Sequence, residues 1–302
     1  MPEMSKGVDA KSLGALIRVL KAFRKFDVNK TITFHSRIKK SKDFAKELAS
    51  TADVLANEAH FPGQIWTRYV SGEMSNGERE DILDEFTRQS GGPAVVSNAT
   101  CLGEGVDVPT IDGIAFIDPK RSQIDIVQAV GRAIRKSKID KPGTIIMPVF
   151  IKQGKEPEAV LQASDFKDVW AVVNTLRDHD ARLAEEIDSV RLGLGREGAV
   201  VGRRPDTIVF DLPAGVSQGF VQAFDARLVD RCSSSFYFWL GLLQNYAARE
   251  GDAVVPVSYR EGDFRLGQWV HDQRIAYRRG KLSADRIAAL KAIDGWVWRV
   301  LT

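Results

Sequence analysis

The chain has 302 residues, of which 44% are hydrophobic and 27% are charged, and its formal net charge is +3. This composition is typical of an ordinary globular protein with two or three units, and the charge is too small to establish an anionic partner. The two cysteines, Cys101 and Cys232, lack the spacing of a disulfide framework or a zinc site, and no apolar run approaches the roughly 18 residues of a membrane span. We therefore expect a cytoplasmic protein with no membrane partner and no metal site.

The first half of the chain alternates predicted helices and strands. Helical patterns occur at residues 12–23, 40–57, 75–89 and 122–136. Strand-like apolar runs occur at residues 31–36, 65–72, 93–99, 112–118 and 143–151. This alternation predicts right-handed β–α–β units and an α/β fold, in which helices flank a parallel sheet. Because ligands of such sheets bind beyond the carboxyl ends of the strands, the loops after residues 36, 72, 99 and 118 are the expected site.

The second half is predicted to be largely helical. Residues 156–195 indicate one or two helices, and residues 196–215 a connector with one short strand. Three further helices are expected at residues 235–250, 266–279 and 283–293, where tryptophan and tyrosine are dense enough to form the core of a small domain. We therefore predict a first domain over residues 1–152, a helical bridge over 153–231 and a small three-helix domain over 232–302.

The segment QAVGRAIR, residues 128–135, places Gln128, Arg132 and Arg135 on one arc of a helix and apolar residues on the other. A guanidinium is always charged and forks toward oxygen atoms, so it suits the charge that builds on a transferred phosphoryl group. A solvated basic face would give the same pattern. Two loops that follow predicted strands favour the first interpretation.

One of these loops is LGEGVDVP, residues 102–109, where Gly105 allows a ligand to approach the backbone and Asp107 offers a carboxylate for a ribose hydroxyl. The other is FHSRIKK, residues 34–40, where a strand ends in Ser36 and Arg37. A hydroxyl and several cations at this place suit sugar-phosphate contacts. A plain turn and a solvated charge run are the alternatives for the two segments.

Taken in order, TITFHS, YVSGEMSNGERE, NATCLGEGVDVP and QAVGRAIR resemble the second RecA-like domain of superfamily-2 helicases, over roughly residues 12 to 152. The resemblance implies that Arg135 is an arginine finger for the γ-phosphate of ATP and that Arg132 assists at the same phosphates. It also implies that Gln128 belongs to the nucleotide-side network, and that Gly105 and Asp107 border the ribose.

The same resemblance implies contacts to a nucleic-acid backbone. They would come from Ser36 and Arg37, and Thr100 is the candidate to replace a threonine that many members carry where this chain has Ala99. Residues 235–298 resemble the helicase-associated domain of bacterial helicases, which implies a nucleic-acid partner for this part of the chain. A phosphate-tracking patch of Arg274, Arg278 and Arg279 would serve that partner, while the tryptophans are expected to be mainly core residues.

The 302 residues contain no GxxxxGK[ST] phosphate loop and no DEAD or DEAH carboxylate pair. We therefore expect ATP and Mg²⁺ to bind only together with a first RecA-like domain that carries these motifs, in cis or in trans, and this chain alone to be inactive. The expected partner is DNA, with RNA left open. The alternative is a non-catalytic nucleic-acid-binding accessory protein on a RecA-like scaffold, but the presence of Arg132, Arg135 and Asp107 favours part of an ATP-dependent helicase.

Overall fold

A computed structural model describes residues 9–99, 101, 111–118, 143–149, 151, 160–161, 164–197, 205, 207–209, 218–232 and 235–299. These residues fall into two compact units, one within Met1–Gly154 and Gln162–His179 and the other within Lys155–Leu161 and Asp180–Thr302. No helix among the described residues is both long enough and apolar enough to cross a membrane. The predicted helix over residues 122–136 lies outside the described residues.

The first unit is built on a parallel sheet of five strands, in the order β2-β3-β1-β4-β5. The strands are β1 (Lys30–His35), β2 (Trp66–Ser71), β3 (Ala94–Ala99), β4 (Gly113–Asp118) and β5 (Thr144–Ile146). The central strands β1 and β3 are buried on both faces, as expected for apolar runs in a parallel sheet. The predicted α/β fold with a parallel sheet is confirmed.

Helices cover both faces of this sheet. They are α1 (Ala10–Lys25), α2 (Ile38–Val54), α3 (Asn76–Arg88) and α4 (Ser164–His179). Successive residues of a strand point to opposite faces, so Val95 packs with α1 and α2 while Val96 packs with Phe86 of α3 and Val172 of α4. The start of α3 is held by a capping box, in which Ser75 and Glu78 satisfy each other's backbone N–H groups.

The second unit is helical. Its helices are α5 (Ala181–Glu197), α6 (Gln218–Cys232), α7 (Ser235–Glu250), α8 (Leu266–Arg278) and α9 (Ala284–Lys291). Helices α5 and α7 touch at Gly195 and Gly241, since a Cβ atom would lie 2.1 Å from the Phe238 carbonyl oxygen at the first and 2.3 Å from that of Leu192 at the second. The three helices expected at the end of the chain, α7 to α9, enclose an apolar core that includes Leu243, Leu266 and Leu290.

Three features of the second half refine the sequence predictions. The described residues of the region 156–195 include helices α4 and α5, and the Asp180 carboxylate caps α5 by accepting from the N–H groups of Arg182 and Leu183. Helix α6 lies almost wholly within the predicted helical bridge over residues 153–231, although no individual helix was predicted there. Of the residues that suggested a short strand in the connector, the described pair Ile208 and Val209 is not in a strand. The domain boundaries at residues 152 and 231 stay a prediction.

Candidate nucleotide and nucleic-acid interface

The carboxyl ends of three neighbouring strands meet at one edge of the sheet. In the ladder register, His35 of β1 pairs with Ala99 of β3 on one side and with Asp118 of β4 on the other. These strands lead in sequence to the three predicted site segments, residues 34–40, 102–109 and 128–135. The sheet order therefore brings together the strand ends from which the predicted site loops leave.

Six predicted site residues of the first domain lie outside the described residues: Thr100, Gly105, Asp107, Gln128, Arg132 and Arg135. The residues assigned to ATP are all in this group, so the described part of the structure gives no nucleotide geometry. Among the described residues, no group of three or more histidine, cysteine or carboxylate side chains could hold a metal ion.

The loop after β1 carries the two predicted nucleic-acid contacts that the structure describes. Arg37 is exposed and is the N-cap residue of α2 in an extended conformation, without a capping bond from its side chain. The first turn of α2 contains no acidic residue, and its Lys39 and Lys40 are exposed. Free N–H groups at a helix start carry a partial positive charge, so this turn and its cations favour an anion such as a phosphate.

Ser36 is half-buried, and its hydroxyl donates to Asp118 Oδ2 over 2.7 Å. Lys40 Nζ donates to the same oxygen at 2.5 Å. A hydroxyl has one hydrogen to donate, so Ser36 contacts a phosphate as a donor only if it turns away from Asp118. Arg37 is therefore the better placed of the two predicted contacts.

Asp118 is a residue of this edge that the sequence analysis did not single out. Its Oδ1 atom lies 3.2 Å from Nδ1 of the buried His35. Burial raises the pKa of Asp118, but hydrogen bonding from His35, Lys40 and Ser36 outweighs it and holds the pKa well below its ordinary value. Burial also lowers the pKa of His35, despite the opposing effect of Asp118, so the pair is a neutral imidazole beside an ionised carboxylate. The available signal was the acid that ends the strand GIAFID.

In the second unit, the predicted basic patch divides into buried and exposed members. Arg274 is 8% exposed, donates from Nε to the Val297 carbonyl at 3.0 Å and from Nη2 to the Ala253 carbonyl at 3.2 Å, and lies over the Trp296 ring. Two donors along one edge of its guanidinium face backbone carbonyl oxygens, so Arg274 has an internal role here, and its predicted phosphate contact stays a prediction. Arg278 and Arg279 are exposed at the end of α8.

The tryptophans of this unit pack against its core, as the sequence analysis expected. Trp239 and Trp269 stack with ring centroids 6.0 Å apart, and Trp298 stacks on Tyr277 at 3.8 Å. The three tryptophan rings contact the apolar core of the unit. The Tyr277–Trp298 stack holds the chain near residue 298 against the end of α8, next to the exposed Arg278.

Comparisons with known proteins match both halves of the chain. Residues 12–137 match the model of the helicase conserved C-terminal domain, and residues 233–299 match that of the helicase associated domain. Probable helicase A859L of African swine fever virus (isolate Pig/Kenya/KEN-50/1950) is 31% identical over 161 residues, which are 52% of this chain and 16% of the viral protein.

Among solved structures, the ATP-dependent Type ISP restriction-modification enzyme LlaBIII bound to DNA has a similar fold. Its TM-score is 0.58 at 21% sequence identity, over 94% of this chain and 22% of that chain. The matched regions thus span less than a quarter of either relative.

Proposed function

We propose that this chain, which carries the C-terminal domain of the superfamily-2 helicases followed by a helicase-associated domain, is the second half of an ATP-dependent DNA helicase or translocase. The observation that carries the proposal is the adjacency of the carboxyl ends of β3, β1 and β4, which lead to the three motif-like segments. The first RecA-like half, with its phosphate loop and DEAD- or DEAH-like carboxylates, is supplied in cis or in trans.

On the nucleotide side, the proposal assigns Arg135 as the arginine finger and Arg132 as its neighbour at the phosphates. ATP, which the first half would hold together with Mg²⁺, would supply the transferable phosphoryl group. The arginines of this chain neutralise the charge that develops on that group, and they keep their own charge throughout because a guanidinium does not deprotonate. Gln128, Gly105 and Asp107 complete the pocket on this side.

On the nucleic-acid side, the proposal assigns Arg37 and the first turn of α2 to the phosphate backbone, together with Thr100, which follows β3 in the sequence. Arg278 and Arg279 are assigned to a separate contact made by the helicase-associated domain. Such contacts position a strand without reading its bases, so binding should weaken steeply as the salt concentration rises. DNA is the favoured partner, and RNA is the comparison to make in the same assay.

The test uses this chain together with its ATP-binding half. Arg135→Ala should lower DNA-stimulated ATP hydrolysis about a thousand-fold or more, as loss of an arginine finger does, while DNA affinity stays unchanged. Arg88→Ala is the matched control, because Arg88 is exposed on α3. Unchanged turnover in Arg135→Ala would remove this residue from the mechanism.

An assay of the isolated 302 residues separates both candidate functions, helicase half and accessory protein, from a chain that is an ATPase on its own. We expect them to bind DNA without hydrolysing ATP above background. DNA binding with no ATPase activity in any combination with an ATP-binding half would favour the accessory protein instead. A strong DNA-stimulated ATPase from the isolated chain would contradict both.

A further inference from the structure

A chain of polar side chains runs across the ends of β3, β1 and β4. It consists of Ser97, Thr33, His35, Asp118, Ser36 and Lys40, and we call it the strand-end network. Ser97, Thr33 and His35 are at most 1% exposed. His35 Nε2 lies 2.9 Å from both the Thr33 and the Ser97 hydroxyls, which are also 2.9 Å from each other.

The protonation pattern of the strand-end network follows from its partners. An ionised carboxylate only accepts, so His35 Nδ1 carries the proton that faces Asp118, and Nε2 accepts from a hydroxyl. One of the Thr33 and Ser97 hydroxyls donates to Nε2, and the other hydroxyl donates to the oxygen of the first. The Phe44 ring packs on the imidazole at 4.8 Å between centroids and restricts its rotation.

Asp118 is the point where this buried chain reaches the surface. One oxygen of its carboxylate lies 3.2 Å from His35 Nδ1, and the other accepts hydrogen bonds from Ser36 and Lys40. Ser36 and Lys40 lie on either side of Arg37 and the uncapped start of α2. A buried histidine with two hydroxyls does not stabilise a fold better than apolar residues of similar shape, but it fixes one geometry.

We propose that Asp118, oriented by His35, is a positioning residue that fixes the loop after β1 in the arrangement that receives a nucleic-acid phosphate. The inference rests on the proposed function, because it requires the loop after β1 to contact the nucleic-acid backbone. Asp118 does not itself contact the nucleic acid. It acts through Ser36 and Lys40, which hold Arg37 and the first turn of α2 at the sheet edge.

Asp118→Asn separates positioning from simple electrostatics. The substitution removes a negative charge beside a phosphate site, so electrostatics alone would tighten DNA binding. Positioning requires the opposite result. Asparagine has one acceptor oxygen and one NH₂ donor, so its neutral amide offers Lys40 no ionic partner, and it can face His35 Nδ1 as a donor only if His35 moves its proton to Nε2. We expect DNA affinity to fall about tenfold, the effect of losing roughly one charge-assisted hydrogen bond.

The experiment measures the anisotropy of a short fluorescein-labelled single-stranded DNA with the 302-residue chain and its variants. Asp81→Asn is the matched control, since it makes the same change at an exposed carboxylate on α3. If the unchanged chain does not bind DNA, the proposed function fails. If it binds and Asp118→Asn binds equally well or more tightly, the positioning role alone is refuted.

Two further measurements keep the inference testable if Asp118→Asn is poorly folded. In a double-mutant cycle, Ser36→Ala should weaken binding, and it should reduce the additional loss from Asp118→Asn, because the two residues act together. Fully additive losses would overturn the proposal. In the unchanged chain, addition of the same DNA should shift the imidazole ¹⁵N signals of His35 but not those of the exposed His60. An unshifted His35 at saturating DNA would equally refute it.

Discussion

Removal of the Arg274 side chain should destabilise the second unit far more than it affects DNA binding. The guanidinium donates hydrogen bonds to two backbone carbonyl groups, those of the exposed Val297 and the buried Ala253, and it lies over the Trp296 ring. Arg274→Met keeps much of the volume and removes every donor. This variant therefore isolates the polar contribution of the side chain.

The magnitude follows from the two bonds. A hydrogen bond from a charged donor is worth about 1.5–3 kcal/mol, so the pair contributes about 3–6 kcal/mol. Burial lowers the pKa of Arg274, which reflects the free-energy cost of removing its charge from water. The methionine variant does not have this cost, so the net loss of stability is smaller than the sum of the two bonds. We expect a net loss of about 3 kcal/mol in the free energy of unfolding, against less than about 0.5 kcal/mol for the exposed Arg278→Met.

The assay is urea unfolding followed by tryptophan fluorescence, since Trp239, Trp269, Trp296 and Trp298 all lie in this unit. DNA anisotropy on the same samples gives the second readout. A fully stable Arg274→Met that binds DNA more weakly would refute the internal role and restore the phosphate contact expected from the sequence.

Three further outcomes are expected. Gly241→Ala should cost several kcal/mol in urea unfolding, because its Cβ would meet the backbone of α5, whereas Gly14→Ala, with no heavy atom within 4 Å of the new Cβ, should stabilise the chain by about 0.5–1 kcal/mol. Burial lowers the pKa of His35 in the folded chain, so below about pH 6.5 the unfolded chain binds a proton that the folded chain does not. The free energy of unfolding should therefore decrease as the pH is lowered from 7 to about 5. In denaturant titrations over this range, His35→Gln should show a smaller dependence on pH. Arg279→Met should reduce the slope of log K for DNA against log salt by about one, and an unchanged slope would exclude a phosphate contact there.

Local patterns were sufficient to predict the sheet and most helices. The strands predicted at residues 31–36, 93–99 and 112–118 differ from β1, β3 and β4 by a residue or less at each end. Helix α6 was not singled out within the predicted helical bridge, although its buried Phe220, Phe224 and Leu228 recur at intervals of four. That spacing was visible in the sequence.

The site was harder to predict than the fold. Ordered motifs locate Arg37 and its loop, because those residues are adjacent in the chain. They do not reveal that Asp118, 82 positions after Ser36, lies across the sheet edge and accepts its hydrogen bond. Charge alone also grouped Arg274 with Arg278 and Arg279, and only the packing of α8 against residues 253 and 297 separates them.

The glycine contact between α5 and α7 bears on how the helicase-associated part of the chain can be handled in isolation. Sequence similarity places the start of that part at residue 233, yet Leu192 of α5 packs on its core and Gly195 meets Gly241 backbone to backbone. A recombinant fragment that begins at residue 233 would lack α5 and would expose the surface of α7 that α5 covers, which favours self-association. A fragment that begins at Asp180 would retain the cap of α5 and the whole helix pair.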